Sequence, residues 1–173
     1  MLKTLLQAAI FTLLVSCAAT VFFPLWIHAP NSAWAERVGV LRWLGLALIL
    51  LGAGGYLVSE AEFLLRGRGT PAIWFTRRIR FLVGEEPATM IRSGLYRRVR
   101  NPMYLSILTV LFGEALLFAS PRLLVYAAGM AAFFHVVVVF SEEPHLRKRH
   151  GASFNEYCRT TPRWLPRFRA GGQ

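Results

Sequence analysis

Charge is scarce in this chain of 173 residues: 17% are charged and 55% hydrophobic, and the mean hydropathy is +0.44. A soluble domain of this size carries about a quarter charged residues, so a water-exposed globular surface is excluded. Acidic residues are scarcer still, with nine Asp plus Glu against 20 Lys plus Arg, a formal net charge of +11. Two cysteines, Cys17 and Cys158, supply neither a disulfide framework nor a CxxC metal site. No GxGxxG occurs, and Gly67-Arg68-Gly69 opens neither a strand nor a helix, which excludes a Rossmann frame. There is also no repeat, no low-complexity tract and no linker long enough to separate domains.

What the chain does have is long apolar runs. Bilayer hydrocarbon is about 30 Å thick, so a helix needs roughly 20 apolar residues to cross it. Four stretches approach that length: Leu5 to Ile27, Val38 to Val58, Met103 to Ala119 and Leu123 to Phe140. Only Ser120-Pro121-Arg122 separates the last two, which predicts an antiparallel helical hairpin over 103–140. Leu14-Val15-Ser16-Cys17 resembles a lipoprotein cleavage box, but the chain stays apolar through Ile27, well past the 7 to 15 residues of a signal core. A retained membrane helix is predicted there. The expected fold is an all-α integral membrane protein of about four spans. Residues 1–65 hold the first two helices, and residues 66–173 form a C-terminal half of loop, hairpin and tail.

The excess charge is concentrated. Residues 66–101 hold nine arginines against Glu85 and Glu86, and residues 141–173 hold seven Lys or Arg against Glu142, Glu143 and Glu156. These two segments account for the whole net charge. By the positive-inside rule both are cytoplasmic, and with four spans so are both termini, with which Lys3 agrees. Basic character is then topology plus attraction to anionic lipid, and a nucleic-acid partner is not expected. Trp74 and Phe75, followed by Arg77, Arg78, Arg80 and Phe81, suit a segment lying at the headgroups.

Ionisable residues inside spans need partners. Glu114 falls about 16 Å into the hairpin and His135 only about 8 Å from its far end, so the two are not expected to pair. Arg42 and Arg122 are the expected counter-charges for Glu114. His135 shares a helical face with Glu142, and two readings stay open for it: a buried histidine satisfied by a backbone carbonyl, or a ligand contact. Gly45, Gly52, Gly54 and Gly55 predict close approach of a neighbouring helix.

Two segments carry chemistry. Tyr96-Arg97-Arg98-Val99-Arg100-Asn101-Pro102-Met103-Tyr104 leads into the third span, with Asn101 expected as N-cap and Pro102 as the first helical residue. After the fourth span come Glu142-Glu143-Pro144-His145-Leu146, then Phe154-Asn155-Glu156-Tyr157 and Pro162-Arg163-Trp164-Leu165-Pro166. The hairpin brings both segments to one side, so a carboxylate pair faces arginines and tyrosines. A plain alternative is that the arginines only mark topology and the glutamates only neutralise them. His145 and His150 do not share a helix face, so no metal site is expected.

Gly94 to Tyr104, the hairpin, Glu142-Glu143-Pro144-His145-Leu146, Gly151 to Tyr157 and Pro162 to Pro166 together resemble the isoprenylcysteine carboxyl methyltransferase and phospholipid methyltransferase superfamily, over roughly residues 87 to 167. The resemblance implies an integral membrane methyltransferase using S-adenosylmethionine, held by the C-terminal half, with a lipophilic acceptor from the bilayer. It directs attention to Tyr96, Arg100, Asn101, Pro102, Tyr104, His135, Glu142, Glu143, Leu146, Tyr157 and Arg163 as the cofactor site. The family's usual Arg-His-Pro is here Arg100-Asn101-Pro102; asparagine can position a partner but cannot shuttle a proton. The cofactor's carboxylate needs a cation such as Arg100 or Arg163, and its ammonium needs Glu142 or Glu143. Its adenine and sulfonium suit Tyr96, Tyr104 and Tyr157. A carboxylate acceptor needs no base; a neutral amine needs one, a role open to Glu142 or Glu143. The rivals are a membrane reductase of related fold using NADPH, and a non-catalytic scaffold or small transporter.

Overall fold

The structure is a computed structural model, and it describes residues 6–7, 9–10, 12–28, 32–62, 64–65 and 90–166. Lys3 and the basic segment with Trp74, Phe75, Arg77, Arg78, Arg80 and Phe81 lie outside the described residues, as do Glu85 and Glu86. Among the described residues the chain is helical throughout, with no strand. Five helices organise it: α1 (Ala18–Ile27), α2 (Ala33–Glu62), α3 (Pro102–Leu117), α4 (Pro121–His150) and α5 (Ala152–Thr160). A wide turn, Thr12–Ser16, precedes α1, and a tight turn, Gly94–Arg97, precedes α3.

Helices α2 and α4 are each 30 residues long and apolar enough to cross a membrane, whereas α1 and α3 are shorter apolar helices. Only 11% and 22% of their apolar windows are buried within the protein. A core helix of a soluble domain would be covered over most of its length. Here Leu44, Leu50, Leu51, Val125 and Phe133 point outward, as lipid-facing side chains do.

The main seam is between α2 and α3, and it is a backbone-to-backbone contact. A Cβ added at Gly45 would stand 2.5 Å from the Gly113 carbonyl oxygen, and one added at Gly113 would stand 2.7 Å from that of Gly45. Gly52 meets the backbone of Ser106 and Val110 of α3 in the same way, Gly55 lies against the Ser106 side chain, and Gly54 faces open space. Three of the four glycines singled out from the sequence therefore make the seam. Tyr56, Met103, Ile107, Leu108, Leu111, Ala127 and Phe134 form the core behind it, with Tyr104 packed on its edge.

The hairpin is present, but its turn falls earlier than expected. α3 ends at Leu117, Ala119 takes a positive φ of 46°, and Ser120 caps α4 by accepting from the Leu123 amide at 3.4 Å. Pro121 then occupies the first helical position, where its missing N–H costs nothing, so Arg122 lies inside α4. α4 also runs ten residues beyond the predicted end at Phe140. Pro144 has no amide to donate, and its ring crowds the carbonyl four residues back; α4 accommodates it by widening into a π turn over Val138–Glu142. The Glu-Glu-Pro segment read as the start of a tail is thus the end of a helix.

Glu114 does not meet its expected counter-charges. It makes no ion pair with Arg42 or Arg122 among the described residues, and its Oε2 is buried without a hydrogen-bond partner. The guanidinium of Arg42 instead sits 5.7 Å above the Trp43 ring next to it. Tyr126 of α4 donates to the Ala19 carbonyl at 3.0 Å, fastening α1 to the hairpin.

Candidate functional site

The polar residues gather at one end of the bundle, where α2 finishes, α3 begins and α4 passes into α5. The N-terminal side of α3 is set by Arg100, whose amide donates to the Pro162 carbonyl at 2.9 Å, and by Asn101. Asn101 holds the N-cap position, but its side chain does not cap α3; its Nδ2 donates to the Arg163 carbonyl at 3.1 Å. The asparagine therefore ties the tail to the head of α3, a positioning role that needs no proton transfer. Pro102 is buried as the first residue of the helix.

Across from it, Glu143 is clasped by two guanidiniums. Its Oε1 accepts from Arg163 Nε at 2.6 Å and from Arg100 Nη1 at 2.9 Å, and its Oε2 accepts from Arg163 Nη2 at 3.0 Å. Arg100 Nη1 also points at Cys158 Sγ, 2.8 Å away. Arg100 Nε is buried without a partner. Burial alone pushes the Glu143 carboxyl upward, but the Arg163 hydrogen bonds and the charges of Arg100, Arg163 and Arg147 outweigh it and hold the group below the usual carboxylate range. The same bonds hold Arg163 above the ordinary guanidinium value.

A group held down in the folded state stabilises the fold above its unfolded value and loses that contribution as pH falls through the folded one. Wild type and Glu143→Gln, compared by thermal unfolding from pH 7 to 3.5, are therefore expected to converge as pH drops below about 4.5, the ordinary carboxylate value. Parallel curves over that range would show that the clasp contributes nothing through ionisation.

Glu142, the last residue of the π turn, accepts from the Tyr104 hydroxyl, and the Tyr104 ring stacks on Phe134 at 4.6 Å. Tyr96 is buried in the tight turn and its carbonyl accepts from Tyr157 at 2.5 Å. Burial first, then the neighbouring Tyr157, Glu142, Glu62 and Tyr56, push the Tyr96 hydroxyl well above its ordinary range. Burial likewise raises Tyr157, partly offset by Arg100. Both phenols are hydrogen-bonding groups and not bases at neutral pH. Leu146 is half-buried one turn beyond Glu142.

His135 is not a buried histidine satisfied by a backbone carbonyl. It lies on an exposed face of α4, and its Nδ1 accepts from Trp164 Nε1 at 3.1 Å with the rings stacked 6.2 Å apart. The structure thus gathers Tyr96, Arg100, Asn101, Tyr104, Glu142, Glu143, Tyr157 and Arg163 at one place, with His135 at its edge under Trp164.

Several partners were not singled out from the sequence. Arg92 donates to Ser153, through its carbonyl at 2.5 Å and its hydroxyl, and lies 5.7 Å over the Tyr157 ring. Glu62 accepts from Ser93 at 2.7 Å and its carboxylate lies against Gly94, whose φ of 53° favours glycine. Cys158 and Trp164 complete the set. Each is a pairing across long sequence separation, for which spacing carries no signal.

An all-helical membrane protein with a conjoined carboxylate, guanidinium and phenol cluster at one helix end is the class that these observations define. The chain belongs to the phospholipid methyltransferase family, whose profile matches residues 40–153; the match takes in most of α2, all of α3 and α4 and the start of α5, and of the site it includes Tyr96, Arg100, Asn101, Tyr104, Glu142 and Glu143 but not Tyr157 or Arg163. It is also similar to the nickel-cobalt-cadmium resistance protein NccN of Alcaligenes xylosoxydans xylosoxydans, 26% identical over 137 residues, which are 79% of this chain and 56% of that protein. The chain thus spans little more than half the length of this curated relative.

Proposed function

We propose that the chain is an S-adenosylmethionine-dependent methyltransferase acting on a lipophilic acceptor. The apolar stretches make four spans, with both termini and the site on the cytoplasmic face, where the basic segments belong. Residues 1–65 supply membrane helices, and residues 66–173 supply the cofactor site.

The observation that carries this reading is the orphaned, buried Nε of Arg100, a cationic donor beside a carboxylate cluster at the head of α3. A guanidinium with one nitrogen unfilled is suited to an anionic group such as the cofactor's carboxylate. Glu142 is placed for its ammonium, and the rings of Tyr96, Tyr104 and Tyr157 for its adenine and sulfonium. When bound, the cofactor supplies an electrophilic methyl group on sulfur. Glu143, with both oxygens engaged, holds Arg100 and Arg163 in place. Asn101 keeps the tail closed over α3, and Trp164 folds on His135 at the edge of the site. Glu142, which accepts from Tyr104, takes the proton that a neutral acceptor loses.

The purified chain is expected to bind S-adenosylmethionine saturably by calorimetry and to transfer radiolabelled methyl into a total lipid extract or into prenylcysteine analogues. Absence of binding across several detergents that keep the protein folded would sink the proposal.

A further inference from the structure

The far end of the bundle, where α1 finishes and α4 begins, carries a shallow, open cavity of about 500 Å³, lined among the described residues by Ile27, Pro121, Arg122, Val125 and Tyr126. Ligand sites span roughly 300–1,000 Å³, so the space is large enough to hold a molecule. Its wall is apolar almost throughout, so Arg122 lends it the methylene stem of the side chain while the guanidinium stays outside. Arg122 and Tyr126 are one helical turn apart with Val125 on the same face, and the slot therefore runs about 6 Å down α4 from the arginine. Val125 is 72% exposed, which leaves the slot open on its outer side. Tyr126 fixes the inner side by donating to the Ala19 carbonyl of α1.

Arg122 itself is exposed and makes no ion pair among the described residues. With Glu36, Arg37 and Arg42 at the head of α2 and Glu114 inside α3, this end carries three arginines against two glutamates. Twenty residues separate Arg122 from Glu142 along α4, about 30 Å, so Arg122 stands at the opposite membrane boundary from the candidate site. An arginine that merely marks a helix end needs only water or passing headgroups. This one stands at the mouth of a slot that the neighbouring side chains do not fill. In hydrocarbon, the lining of such a slot gains its dispersion contacts from an apolar chain lying in it. A cation at the head of an apolar slot is complementary to an anionic head on an apolar tail.

We infer that the slot between α1 and α4 holds one anionic phospholipid, with its phosphate on the Arg122 guanidinium and an acyl chain along Ile27, Val125 and Tyr126, fastening the end of α1 to the hairpin. This lipid is separate from the candidate cofactor site and does not rest on the methyltransferase reading.

Native mass spectrometry of the purified full chain, after exchange with dioleoylphosphatidylglycerol or dioleoylphosphatidylcholine, counts the lipids retained. Wild type is expected to hold one phosphatidylglycerol about fivefold more tightly than phosphatidylcholine, the contribution of one arginine at an anionic headgroup. Arg122→Gln should remove that preference and Arg122→Lys should keep it. Arg159→Gln, at an exposed arginine of the other end, should leave it as in wild type. Val125→Trp narrows the slot with Arg122 in place and should release the same lipid. Both side chains face outward, so these variants are expected to fold, which thermal unfolding checks; if Arg122→Gln does not, Val125→Trp and Arg122→Lys decide. An unchanged preference in Arg122→Gln, or an equal loss in Arg159→Gln, would overturn the inference. Undiminished retention by Val125→Trp would overturn it too, because binding would then be attraction at the headgroups without a slot.

Discussion

Glu142→Gln is expected to slow methyl transfer to an amine acceptor by about 10² to 10⁴-fold, the usual range for loss of a general base. The replacement is nearly isosteric, and its carbonyl still accepts from Tyr104, so the stack of Tyr104 on Phe134 survives. What disappears is the ability to take a proton. An acceptor that is already a carboxylate has no proton to lose, so at S-adenosylmethionine concentrations that saturate the variant its rate should be insensitive to the change. Single-turnover rates with the two acceptor types, alongside calorimetry to verify cofactor binding, separate the cases. An equal loss with both acceptors would assign Glu142 to binding, and no loss with the amine would remove it from proton transfer.

Gly113→Leu is expected to abolish the folded state, because the new Cβ alone would stand 2.7 Å from the Gly45 carbonyl oxygen and 2.9 Å from the Ile49 amide nitrogen. Side chains can yield to such a clash; two helix backbones can only separate. Overpacking of side chains costs about 1–3 kcal/mol, and a backbone collision lies at or above the top of that range. Gly129→Leu is the matched control: a Cβ there meets nothing within 4 Å, and leucine favours helix over glycine by roughly 1 kcal/mol. Monodispersity and thermal unfolding in one detergent compare the two. Similar stability of both variants would show that the α2–α3 seam does not hold the bundle together.

The parts of this architecture legible in the sequence are those that depend on neighbours. Ser120 and Pro121 announce a helix start by local chemistry, and the glycines of α2 announce a close seam through what they lack. The length of α4 was obscured because a proline and a block of charge normally end a helix, whereas here the π turn absorbs Pro144. Arg100, Glu143 and Arg163 were rightly brought together by the hairpin. That Glu143 would occupy both guanidiniums depends on side-chain reach across 43 and 20 residues, which no periodicity encodes. Glu114 shows the converse: proximity in depth suggested Arg42, but an aromatic ring beside that arginine offered a nearer partner.

The widened turn at Val138–Glu142 has one more consequence. It works as a phase shifter. Each residue advances an α-helix by about 100°, so the extra residue taken up in the turn sets the azimuth of everything that follows. Glu142 is thereby turned toward Tyr104 while Glu143 faces the two arginines, and removal of one residue from the turn would rotate both carboxylates off their partners together.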